Sequence, residues 1–142
     1  MKYFSINELV SSATAARLGI DNTPSEEVVA NLTALVDNVL DPLRIDYGAP
    51  IHVNSGYRCA ALNAAVHGAK RSQHMSGQAA DITTGNRHAN KELLMQLLSL
   101  KRFGILSFDQ LIAEHCDRLG RPAWLHVSFV SHTKNRNQLL KT

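Results

Sequence analysis

His74 and Asp81 lie seven positions apart in a polar stretch, Ser72-Gln73-His74-Met75-Ser76-Gly77-Gln78-Ala79-Ala80-Asp81, and both residue types are good zinc ligands. A third candidate, His126, sits in Trp124-Leu125-His126-Val127-Ser128-Phe129. Strand alternation would give Leu125, Val127 and Phe129 one face and Trp124, His126 and Ser128 the other. A histidine fixed on a rigid strand between apolar neighbours is well held for coordination. Two neutral imidazoles and one carboxylate would leave a Zn²⁺ site at about +1 with a fourth position open to water, so the ion could polarise a carbonyl and acidify that water. Spacing alone leaves the ordinary alternative open, that the three are unconnected surface and core residues.

The elements that must position these side chains can be read along the chain. Ser5 followed by Glu8 has capping-box spacing for a short helix ending near Gly19. Thr23-Pro24-Ser25-Glu26 reads as a second start, with Thr23 as N-cap and Pro24 in the first turn. Val28, Val29, Leu32, Leu35, Val36, Val39 and Leu40 then form a stripe at helical period, which should end near Asp41-Pro42 or just after. Residues 51–54 read as a short strand, broken by Ser55-Gly56-Tyr57-Arg58, and a short helix through Leu62 and Val66 stops at Gly68. Residues 79–83 read as another strand and residues 89–101 as a leucine-rich helix. Residues 108–113 and 124–130, joined by the turn-rich Asp117-Arg118-Leu119-Gly120-Arg121-Pro122, read as an antiparallel hairpin. The order predicts an α+β single domain in which an antiparallel sheet carries the metal cleft and packs against helices. Within it, residues 1–46 are the helical scaffold, 47–130 the metal-site core and 131–142 a basic tail, either frayed or offering an electropositive surface.

Three blocks in order, Ser55-Gly56-Tyr57-Arg58, then Ser72-Gln73-His74 with Gly77 and Asp81, then Trp124-Leu125-His126-Val127-Ser128, resemble the zinc D-Ala-D-Ala carboxypeptidase family. That group includes phage endolysins and shares its fold with the hedgehog signalling domain. The resemblance runs from about Phe4 to Phe129. It implies one zinc ion held by His74, Asp81 and His126, in a cleft that cleaves peptide bonds of bacterial cell-wall stem peptides. It also implies that Arg58 engages a substrate carboxylate, for which a planar guanidinium fork is suited and lysine is not. Ser72 and Gln73 would orient substrate or satisfy their own loop.

One feature departs from the family. A Glu or His shortly before the last histidine ligand supplies the general base in related enzymes, as ExxH or HxH, whereas this chain has Ala123 and Trp124 there. The hairpin offers a replacement. If its turn centres on Leu119, Glu114 lies opposite Trp124 and Ile112 opposite His126, so Glu114 shares the face of His126 within roughly 7–8 Å. A one-residue slip would turn it away. Asp109 and His115 have the opposite parity and are poorer candidates.

Composition agrees without identifying anything. The 142 residues carry 15 Lys+Arg against 12 Asp+Glu, a net charge of +3, with 44% apolar residues, as expected of a folded domain. A charge of +3 with no recognition motif argues against a nucleic-acid partner. No apolar run suits a membrane span, and the start lacks the apolar core of a secretory signal. Cys59 and Cys116 form no CxxC, and no nucleophile motif surrounds Cys116 beside His115. Of the seven histidines, His52, His67, His88 and His132 read as structural or solvent-facing. The expectation is a monomeric zinc peptidase acting on peptidoglycan stem peptides, without stable membrane association. It would be a phage endolysin held in the host cytoplasm before its release to the wall. The competing expectations are an L-Ala-D-Glu endopeptidase of the same fold and a non-catalytic zinc-stabilised wall-binding module.

Overall fold

The computed structural model describes residues 1–142. Helices α1 (Ile6–Val10), α2 (Ala13–Leu18) and α3 (Glu26–Leu35) lead through a widened π turn (Val36–Leu40) into α4 (Asp41–Tyr47). Strand β1 (His52–Ser55) and helix α5 (Ala60–Ala65) precede a 3-10 turn (Gln73–Ser76) and strand β2 (Ala79–Thr83). Helix α6 (Arg87–Arg102) is followed by β3 (Gln110–Glu114), β4 (Trp124–Ser128) and β5 (Gln138–Lys141). The strands form one sheet in the order β1-β2-β4-β3-β5. All neighbours are antiparallel except β3 and β5, which are parallel.

One face of this sheet is apolar. Ile82, Leu111, Leu125 and Val127 are fully buried there and join Leu32, Leu35, Leu93, Leu97 and Phe108 in one core. Alternation therefore turns Asp81, Ile112, Glu114, Trp124 and His126 to the opposite face, which carries the cleft. The hairpin has the register expected from its turn: Glu114 pairs with Trp124 and Ile112 with His126. Asp117 fixes that turn, its Oδ1 accepting from the backbone N–H groups of Leu119 and Arg121 and its Oδ2 from Arg121 Nε. Buried Asn90 on α6 anchors the far side by donating to the Pro122 and Ala123 carbonyls.

Four expectations are corrected. The first helix is two, because Ser12 caps a new start through Ala15 N–H. The N-cap of α3 is Ser25 rather than Thr23, since both the backbone N–H and the hydroxyl of Thr23 are taken by Asp21. The helix also continues past Pro42 to Tyr47. Proline in a helix lacks a donor and crowds the preceding turn. The widened turn relieves this, with Asp41 N–H bonding Val36 O five residues back. Finally, the tail does not fray, because β5 pairs with β3 from Gln110–Gln138 to Ala113–Lys141.

Candidate metal centre

Asp81 and His126 are direct cross-strand partners on β2 and β4, with Asp81 Oδ1 3.1 Å from His126 Nδ1. His74 enters from the 3-10 turn, its Nε2 3.3 Å from the same Oδ1. All three donor atoms lie within 4.8 Å of one another. His74 is 3% exposed, and its Nδ1 donates to the Gly56 carbonyl at 2.7 Å, which aims Nε2 at Asp81 and His126. The donor set fits zinc: two imidazole nitrogens and one carboxylate oxygen from rigid elements, with a backbone carbonyl orienting one ring.

The local sequence explains this placement. Ser72 caps the 3-10 turn by accepting from His74 N–H, and Arg58 N–H donates to His74 O at 3.0 Å. Gly56 runs so close to the Leu9 backbone that a Cβ would collide with it. Gly77 ends the turn at φ +73, where a Cβ would also meet Val28 O at 2.8 Å. The Ser-Gly-Tyr-Arg and His-to-Asp blocks thus hold each other through backbone contacts.

Burial alone would push the Asp81 carboxyl up. Hydrogen bonds and charge from His126 and His74 outweigh burial and hold the carboxyl well below the usual carboxylate range. Arg58 is bound on three sides, Nε to Ser55 Oγ at 3.0 Å, Nη1 to Asn63 Oδ1 at 3.2 Å and Nη2 to Asp81 Oδ2 at 3.4 Å. Its contact with the Asp81 carboxylate was not legible in sequence.

An open cleft of about 600 Å³ surrounds the three donors and is lined also by Arg58, Ser72, Gln73, Glu114, Trp124 and Arg136. Every sequence-selected site residue therefore meets in one place. Glu114 Oε2 accepts from Thr142 Oγ1 at 2.8 Å, and Oε1 has no protein partner. Gln73 Nε2 donates to buried Asp109 Oδ2 at 2.9 Å, whereas Gln73 Oε1 is buried and unpaired. Asp109, turned from the cleft by parity, is a buried support. Sequence reasoning missed Arg136, which reaches the cleft from the tail; its Nη2 pairs with Asp109 at 2.7 Å. His52, His67, His88 and His132 are exposed, and so is His115, which stacks on Trp124 at 4.7 Å.

The peptidase M15 family model matches residues 2–128, and the chain belongs to that family of zinc-dependent peptidases. No curated protein matches the chain. Among solved structures, the Serratia marcescens L-Ala D-Glu endopeptidase ChiX is similar at 15% identity and a TM-score of 0.41, covering 75% of this chain and 89% of that one. No helix is long and apolar enough to cross a membrane.

Proposed function

We propose that the protein hydrolyses peptide bonds in the stem peptides of bacterial peptidoglycan, as a D,D-carboxypeptidase or endopeptidase, and serves as a phage endolysin in host lysis. The observation that carries this reading is the convergence of His74, Asp81 and His126 in an open cleft shared with Glu114 and three arginines. His74, Asp81 and His126 would hold one zinc ion. When bound, that ion supplies Lewis acidity for a peptide carbonyl and for water.

The chain's own groups do the rest. Glu114 is the general base: its free Oε1 takes a proton from the attacking water and delivers it to the departing amine nitrogen. Thr142 fixes the other oxygen and so limits the carboxylate's rotation. Arg58 holds Asp81 Oδ2 and turns its remaining N–H groups to a substrate carboxylate. Ser72 and Gln73, beside His74, orient the peptide on that side.

Mass spectrometry of peptidoglycan digests tests this reading. New stem-peptide termini should appear with the zinc-loaded protein, and their masses identify the bond cut. Stoichiometric zinc without any new terminus would instead favour a wall-binding module.

A further inference from the structure

Arg136 presents a guanidinium that is held yet open to the cleft. Its backbone N–H and Nε each donate to Asp109 Oδ1 at 3.0 Å, and Nη2 donates to Asp109 Oδ2 at 2.7 Å. Asp109 is 2% exposed and is itself tied to Gln73, the neighbour of His74. One edge of the guanidinium is therefore locked, while Nη1 has no protein partner and the side chain is 56% exposed. Arg58 differs, because its head group is held on three sides, by Ser55, Asn63 and Asp81, and its side chain is only 15% exposed. Arg71 lines the same cleft, but nothing fixes its head group.

Sheet order gives Arg136 its position relative to the reaction. The strand-borne metal donors sit on β2 and β4, Arg58 follows β1 on one side, and Arg136 precedes β5 on the other. Strands about 4.8 Å apart put β5 roughly 10 Å from β4, a gap that an arginine side chain shortens to one or two extended residues of peptide. The free end of the guanidinium, Nη1 with the second hydrogen of Nη2, matches a carboxylate fork. Arg136 also lies beyond residues 2–128, the stretch shared with the family.

We propose that Arg136 is a specificity-determining carboxylate anchor, selecting peptides with a free carboxylate next to the scissile bond on the β5 side of the cleft. The proposal rests on the peptidase reading above. Because Asp109 already balances the charge, discrimination arises from directed hydrogen bonds rather than from general attraction to anions.

The test uses two synthetic stem peptides, identical except that one carboxylate is a carboxamide. Binding to the zinc-loaded full chain is followed by stopped-flow fluorescence of Trp124, the single tryptophan, which lines the cleft, and turnover is measured in the same samples. The acid should bind about tenfold more tightly, the scale of one charge-assisted hydrogen-bond pair. That ratio should fall towards one in Arg136→Gln and persist in Arg71→Gln, which removes the same charge. Equal affinities in the wild type, or an unchanged ratio in Arg136→Gln, would overturn the proposal. If melting shows that Arg136→Gln is unfolded, Arg136→Lys must lower the ratio, since it keeps a charge beside Asp109 without the fork. Discrimination in binding with neither peptide cleaved supports the anchor and rejects the peptidase reading.

Discussion

Asp81 and His126 face each other directly across the β2–β4 ladder, Oδ1 to Nδ1 at 3.1 Å, so one strand register fixes two metal donors at once. A slip of one residue in either strand would send that strand's donor into the apolar core. The packing of Ile82 and Leu125, their fully buried neighbours, opposes that slip. Core packing and site geometry are therefore enforced by the same alternation.

Replacing His126 with Ala should remove a donor without disturbing that core, because its side chain points to the cleft. Purified His126→Ala should carry far less than stoichiometric zinc by elemental analysis and show no peptidase activity, with a melting curve close to that of metal-free wild type. Full zinc retention would contradict the assignment.

Glu114→Gln addresses proton transfer separately from metal binding. The amide keeps size and can still accept from Thr142, but it cannot take a proton. Expected is a fall in kcat of about 10²–10⁴-fold with zinc content unchanged. Wild-type turnover in this variant would return the base to another group.

Arg58 gives a sharper division between orienting a ligand and binding substrate. Its Nη2 supports Asp81 Oδ2, and loss of such a partner typically weakens metal affinity about 10–100-fold. Arg58→Lys, which loses the planar fork, should show that weakening in a competitive chelator titration as well as a raised KM. A raised KM with unchanged zinc affinity would leave Arg58 a substrate contact alone.

Much of this site was legible in the sequence because the information was local. The Asp117 turn sets the hairpin register, which alone brings Glu114 to the face of His126. Alternation separates His126 from Leu125 and Val127 in the same way. The unread parts depend on distant partners. Nothing near Arg58 announces Asp81, and the short run Gln138–Lys141 has no buried face to mark it as a strand. Arg136 looked like tail charge because its partner, Asp109, is distant in sequence. The helix through Pro42 depended on a widened turn that periodicity does not report.

Stability in acid should depend on Asp109. Hydrogen bonds from Arg136 outweigh burial and, with Gln73, bring its carboxyl from 3.8 down to about 2. A depressed folded-state value means that the stabilisation is present above pH 4 and is lost as pH falls from about 4 through 2. The shift corresponds to about 1–2 kcal/mol, allowing for the solvent exposure of Arg136. Denaturant unfolding of wild type and Asp109→Asn should therefore differ most above pH 5 and converge towards pH 2. A difference independent of pH would contradict the ion-pair origin.

The central claim is that one zinc ion on His74, Asp81 and His126 makes this cleft a peptidase. Titrating zinc into chelator-stripped protein, with bound metal and stem-peptide hydrolysis followed together, tests it most directly. Hydrolysis should be absent at zero zinc, rise in proportion to bound metal and level off at one equivalent. Full hydrolysis without metal, or none at one bound equivalent, would contradict it.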